Sequence, residues 1–157
     1  MPKVAVPEGS DAITSRVWRL RPEFAEAAMA MRHAAYEKSI LPARLQEAVR
    51  FRVALINGCL LCQQKAKPEV WGREMYDDMP TYAISPHFST AEKLAILYTE
   101  RYANDHHSLD DRFFARMREH FTDEEIVDLT FIVLRHISFG RLTHTLGLDD
   151  TCEAGWR

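Results

Sequence analysis

Nowhere in the 157 residues is there an uncharged apolar run approaching the roughly 18 that a membrane span needs. The opening stretch, Met1-Pro2-Lys3-Val4-Ala5-Val6-Pro7-Glu8, has no continuous apolar core of export-signal length. No membrane association is expected from this, and the expectation is a soluble, cytoplasmic protein. An excess of one charge is missing too. Lys and Arg number 20 against 23 Asp and Glu, a formal charge of −3, which offers no basic footprint for nucleic acid and no strongly acidic tail. Cysteine is scarce, with three in the chain, and without an export signal thiols are expected to be reduced at rest. Two-residue alternation bounded by hairpin turns is absent, as are internal repeats and low-complexity tracts, so the expected class is all-α. The length suits one domain with a real core.

What is present centres on Asn57-Gly58-Cys59-Leu60-Leu61-Cys62, reached from the apolar run Phe51 to Ile56, in which Arg52 is the one charge. Two cysteines with two residues between them can close a short disulfide or each bind a soft metal, since one helical turn brings their sulfurs within bonding reach. Gly58 predicts a break before them. A helix restarting near Cys59 would aim unpaired backbone N–H groups at the sulfur, and a thiol so placed ionises more readily.

The preceding helix, predicted over about 43–57, is apolar on two sides: Leu45, Ala48, Val49 and Ile56 on one, Phe51, Ala54 and Gly58 on the other. That is the pattern of a central helix. Glu47 falls on the second stripe, a carboxylate on a small apolar face leading to the cysteines. The residues by themselves favour a Glu near the helix start, paired with Arg50 or Arg44, over a catalytic base. Downstream, Lys65 and Lys67 would lower a thiol pKa if they reached it, although solvated lysines are the commoner outcome, and Pro68 limits the cysteine helix to about 67.

Elsewhere the signals are of helices and their ends. Residues 1–21 read as an irregular arm suited to lying on a neighbouring subunit, 22–148 as the helical domain and 149–157 as a tail containing Cys152, a bystander thiol. Pro22 opens a helix with Phe24, Ala27, Ala28, Met31 and Ala35 at helical spacing. Ser89 with Glu92, and Thr122 with Glu125, are capping boxes for two further helices, and Gly147 is placed to end the last in a left-handed cap.

The series Leu41-Pro42, Glu47, Arg50-Phe51-Arg52, Asn57-Gly58-Cys59-Leu60-Leu61-Cys62, Glu92-Lys93, Phe121 to Leu129, Arg141-Leu142 and Leu146-Gly147 resembles the carboxymuconolactone decarboxylase and AhpD-like alkylhydroperoxidase superfamily, from about Pro22 to Leu148. Glu47 standing twelve positions before Cys59 of the Asn-Gly-Cys-x-x-Cys motif is far more specific than a bare cysteine pair. The resemblance implies an AhpD-like bundle of about six to seven helices that forms homo-oligomers. It also implies a redox site in which Cys59 and Cys62 cycle between dithiol and disulfide, with Glu47 in the proton relay. No cofactor beyond that disulfide is expected. The implied partners are a small-molecule peroxide and an external dithiol or thioredoxin-like reductant.

One departure bears on the chemistry. Peroxidase-type members usually carry a His four residues after the second cysteine, and here that position is Ala66. General-base assistance is worth about 10²–10⁴-fold, so a slow or rerouted peroxidase is expected unless another group substitutes. His87 and His136 are the available candidates, but a lone histidine of this kind is more often a hydrogen-bonded packing residue, and no role is assigned to either. The helix dipole favours Cys59 as the attacking sulfur, whereas the usual His would have served Cys62. A disulfide reductase or redox sensor would use the same residues. Two readings from other classes are a decarboxylase-type lyase that works by acid–base residues, against which the cysteine pair weighs, and a non-catalytic helical oligomer. In the oligomer, zinc would need Cys152 or a distant His to complete four ligands.

Overall fold

The computed structural model describes residues 1–148 and contains no strand among them. Eight α-helices run in order: α1 (Ile13–Trp18), α2 (Pro22–Glu37), α3 (Ala43–Ile56), α4 (Leu60–Gln64), α5 (Arg73–Asp78), α6 (Thr90–Asn104), α7 (Asp111–Arg118) and α8 (Asp123–Thr145). The all-α class expected from the sequence is what is found. Short 3₁₀ turns at Met79–Thr81 and His106–Ser108 join the later helices. The tail, with Cys152, lies outside the described residues.

Helix α3 is the axis on which the rest packs, chiefly through α6 and α8. Its two apolar sides meet two cores. Leu45, Val49 and Val53 face Leu94, Ala95 and Tyr98 of α6, Phe113 and Met117 of α7, and Leu129, Ile132, Val133 and Ile137 of α8. Ala48 and Phe51 face Trp71, Met75, Met79, Tyr82, Phe88 and Ile96. Each large side chain buried this fully contributes roughly 1.5–3 kcal/mol, so the double-sided burial of α3 fixes its position more firmly than that of any surface helix. Of the aromatic residues between Glu47 and the second half of the chain, Trp71 is 1% exposed and meets Phe51, Tyr76 and Phe88 edge-on. Its indole N–H donates to the Arg44 carbonyl at 3.2 Å.

Both capping boxes form, Ser89 with Glu92 and Thr122 with Glu125, so the starts of α6 and α8 are set by local hydrogen bonds. The N-terminal arm is not irregular throughout. It contains α1, with Val17 buried, and packs on its own chain: Trp18 stands edge-on to Phe139 at 5.5 Å, and the Lys3 amide donates to the Leu146 carbonyl at 2.9 Å. Helix α2 rests on α8 and buries Ala35, while Phe24 on the same helix is 66% exposed.

The break before the cysteines occurs where the glycine sits. Gly58 has φ +63°, a conformation that costs L-residues with a Cβ, and an added Cβ would meet nothing within 4 Å. Gly58→Ala therefore isolates a backbone effect from packing. The expected loss is about 1 kcal/mol of stability, read in urea denaturation as a lower midpoint with unchanged slope. A midpoint equal to wild type would show that the α3–α4 turn tolerates a relaxed conformation.

Candidate active site

Cys59 and Cys62 are joined as a disulfide, with Cα atoms 5.2 Å apart. Cys59 is the N-cap of α4, and its Sγ accepts the Cys62 N–H at 3.2 Å. Both residues are partly exposed. The restart of the helix beside Cys59 is thus as the Gly58 break predicts, but α4 ends at Gln64, three residues before the limit set by Pro68. Ala66 is outside the helix and exposed.

Glu47 is fully buried on the face of α3 that leads to this turn. It is not a lone carboxylate. Arg50 Nε donates to Oε2 at 2.7 Å and Arg50 Nη2 to Oε1 at 2.6 Å, a two-point ion pair one helical turn long. The Tyr76 hydroxyl on α5 donates to Oε1 at 2.8 Å and itself accepts the Lys67 N–H at 2.7 Å. Lys67 Nζ lies 3.8 Å from Oε2. Of the two arginine partners open from the sequence, it is Arg50 that pairs with Glu47, while Arg44 pairs with Glu92 at 2.6 Å. Lys65 contributes its backbone and not its charge.

Arg50 connects this pair to the cysteines. Its Nη1 donates to the Cys62 carbonyl at 2.6 Å and its Nη2 to the Lys65 carbonyl at 2.9 Å. These two carbonyls lie at the end of a five-residue helix, where main-chain acceptors lack helical partners. One guanidinium thereby closes the open end of α4 and neutralises Glu47. Burial pulls the Arg50 pKa down, but the hydrogen bonds and charge of Glu47 outweigh it, and the guanidinium ends above its ordinary value. Burial likewise pushes the Tyr76 phenol up, with the Glu47 bond and charge acting in the same direction.

Asn57 ties the motif to α8. Its amide nitrogen approaches the His136 carbonyl at 3.4 Å, and a Cβ at Gly140 would collide with that amide. Gly140 thus serves as a close-approach site. On the far side of Arg50, residues Ala35, Tyr36, Gln46, Arg50, Lys67, Ile132, Arg135 and His136 enclose a cavity of about 10 Å³, the space one water requires. His136 is enclosed there. Burial first, then the charges of Arg135, Arg50 and Lys67, hold its pKa well below the ordinary value, so it is neutral at pH 7. His87 is elsewhere, bonded to Asp78 at 2.8 Å. The structure therefore brings Glu47, Cys59 and Cys62 to one region through Arg50 and leaves His87 out. Sequence reading missed Arg50 as the link, Tyr76, and Arg135. Arg50 had a local signal, being one turn from Glu47, but the other two arrive by tertiary packing. Among the described residues there is no group of three or more His, Cys, Asp or Glu side chains arranged to hold a metal, and no helix long and apolar enough to cross a membrane.

Comparison with known proteins bears on the family and the fold. Residues 22–66 match the sequence profile of the carboxymuconolactone decarboxylase family. No curated protein sequence matches the chain. Among solved structures, one similar fold is a protein of unknown function from Agrobacterium tumefaciens whose name links it to the antioxidant defence protein AhpD. It has a TM-score of 0.70 and 22% identity, over 83% of this chain and 92% of that one. A second is an uncharacterised peroxidase-related protein from Silicibacter sp. TM1040, with a TM-score of 0.72 and 15% identity, over 87% of this chain and 74% of that one. A third is an uncharacterised peroxidase-related protein with an alkylhydroperoxidase AhpD core, from Ralstonia eutropha JMP134. Its TM-score is 0.67 at 18% identity, over 86% of this chain and 74% of that one. The family match and the shared fold bear out the resemblance to the carboxymuconolactone decarboxylase and AhpD-like superfamily.

Two outcomes follow from the charges. Arg50→Met leaves Glu47 buried without its two-point partner and is expected to cost about 3–5 kcal/mol, whereas Glu47→Leu combined with Arg50→Met should recover much of that loss. Equilibrium denaturation of the single and double variants distinguishes the two. For His136 the folded pKa lies below the unfolded value of 6.5, so as pH falls the unfolded chain takes up the proton first. Its contribution is fully present above that pH and is lost below it. Wild-type stability should fall more steeply than that of His136→Gln below pH 6.5, by up to about 1.4 kcal/mol per pH unit, and parallel curves would show the imidazole protonated in place.

Proposed function

We propose, starting from the AhpD-like helical fold and the family segment at residues 22–66, that this chain is a thiol-dependent oxidoreductase of the alkylhydroperoxidase type. The single observation that supports it most is the joined Cys59–Cys62 pair at a partly exposed helix start, its backbone gripped by the arginine that neutralises buried Glu47. The dithiol form would carry Cys59 as the thiolate, since the Cys62 N–H that meets Cys59 Sγ favours an anionic sulfur.

The cycle balances as follows. The Cys59 thiolate attacks one oxygen of a hydroperoxide, the O–O bond breaks, and the departing alkoxide takes a proton to leave as alcohol, giving a sulfenic acid on Cys59. The Cys62 sulfur then attacks that sulfur, displacing hydroxide, which leaves as water with the Cys62 proton. An external dithiol, thioredoxin-like in chemistry, supplies two electrons and two protons and reopens the disulfide. Glu47 belongs to the proton relay in this reading. Arg50 occupies both carboxylate oxygens, so the exchange point is the Tyr76 hydroxyl, the neutral donor among its hydrogen-bond partners. Ala66 offers no base, and His136, kept neutral by burial and then by surrounding cations, is a weak one, so the peroxide step should be slow for the family. A homo-oligomer, which the resemblance implies, would cover apolar side chains such as Phe24, Val127 and Phe131 that are exposed in the single chain.

Stopped-flow reaction of the reduced protein with an organic hydroperoxide tests the site. Wild type should lose two thiols per chain, restored by dithiothreitol. Cys59→Ser should abolish the reaction, Cys62→Ser should stop at a sulfenic acid that dimedone traps, and Glu47→Gln should slow the rate by about 10²-fold or more. A peroxide rate indifferent to all three substitutions rejects the reading. Decarboxylation of a lactone substrate by thiol-blocked protein would favour the lyase branch instead.

A further inference from the structure

The small cavity beside Arg50 has an unbalanced charge. Three cations line it: Arg50, Lys67 and Arg135. The carboxylate in contact with this group is Glu47, bonded twice by Arg50 and once by Tyr76. Arg135 is 7% exposed, and no carboxylate pairs with it among the described residues. Its Nη1 donates to the neutral His136 ring, nearest Nε2 at 2.9 Å, and its guanidinium lies 4.0 Å over the Tyr36 ring. Its Nε is buried without an acceptor. Arg50 uses four of its five N–H donors on Glu47, Cys62 and Lys65, leaving one Nη1 hydrogen with no acceptor. Burying a guanidinium with neither counter-charge nor full hydrogen bonding is costly, and native interiors rarely leave it so.

We propose that this cavity is a binding site for a small carboxylate, which one Arg135 N–H, the remaining Arg50 N–H and the Lys67 ammonium would hold. Size selects the class. A space of about 10 Å³ admits a single oxygen atom, which favours the smallest and flattest oxyanion, a carboxylate such as formate, over a bulkier tetrahedral one. Tyr36 and the Lys67 side chain, 44% and 40% exposed, are the members of the lining that reach solvent, so the rest of the ligand would leave on their side. A neutral His136 lines the pocket, its Nδ1 and Nε2 lying 3.3 and 2.9 Å from Arg135 Nη1. The inference stands apart from the redox reading, because none of these groups is required to react.

Formate is the probe. It is titrated into the disulfide-closed protein at constant ionic strength, chloride being replaced, while the ¹H–¹⁵N and side-chain signals of His136, Arg135 and Ile132 are followed by NMR. The expected result is a saturable, millimolar shift confined to this cavity. Arg135→Gln should weaken formate at least about tenfold, the loss of a charge-assisted bond, and Arg112→Gln on an exposed face should leave it unchanged. Should Arg135→Gln fail to fold, Lys67→Gln decides: a weaker formate titration supports the site, and an unaltered one overturns it. Signals that never saturate, a shift equal in folded Arg135→Gln, or inorganic phosphate binding more tightly than formate would each overturn the assignment. Since the protein stays oxidised throughout, a failed titration leaves the peroxide chemistry untouched, and a failed peroxide assay leaves the anion site untouched.

Discussion

The structure turns on one buried ion pair. Glu47 and Arg50 are one turn apart on the central helix, and both are almost wholly out of water. Taking two charges from solvent is costly, and replacing such a pair with apolar residues is often neutral or better for stability. Its use here is geometric. Arg50 has donors left over after Glu47 is satisfied, and two of them go to the carbonyls of Cys62 and Lys65. A helix of five residues cannot be stable by itself, since nucleation is unfavourable and little propagation follows. The guanidinium supplies the missing partners, so the cysteine turn is held by a residue rooted in the best-packed helix of the domain.

That arrangement explains which features were legible in the sequence. The two apolar sides of α3, the break at Gly58, both capping boxes and the left-handed Gly147 are local patterns with local causes, and each appears where its residues predict, except that Ala48, grouped by its spacing with Leu45 and Val49, packs with Phe51 in the other core. The placement of Glu47 on the inward stripe was legible in the same way, as was Arg50 as one of its two possible partners. Tyr76 and Lys67 were not, because they reach Glu47 only after the chain has turned back through the 65–72 loop, and no periodicity records that. The short helix α1 was hidden in an arm whose early Pro and Gly suggest irregularity. It exists because Val17 is buried and Trp18 packs edge-on to Phe139 of α8.

His136 shows how context can reverse a reading. In the sequence it is a candidate base standing on a late apolar helix. In the structure burial first, and then the three cations that share its cavity, disfavour the imidazolium. A residue whose protonated form is so disfavoured accepts a proton poorly, whatever its distance from the sulfurs. The same cations that disqualify it as a base act in the opposite sense on anions, so the group of residues around Arg50 suits negative charge more than proton uptake.

This reframes the absent histidine at position 66. Helix α4 ends at Gln64, so the residue four places after Cys62 is no longer one helical turn above it, and a histidine there would not inherit the usual geometry. What this chain places next to the turn instead is positive charge: Arg50 on the Cys62 carbonyl, with Lys67 and Arg135 behind it and Glu47 as the carboxylate counterpart of Arg50 and Lys67. A base lowers the barrier by removing the thiol proton, whereas a positive surrounding lowers the thiol pKa so that less of that work is needed. The two routes give the same thiolate, but the second operates through a field that every nearby anion feels. In this chain the cation nearest the turn, Arg50, is already engaged by Glu47, so what it fixes is the position of the cysteine turn.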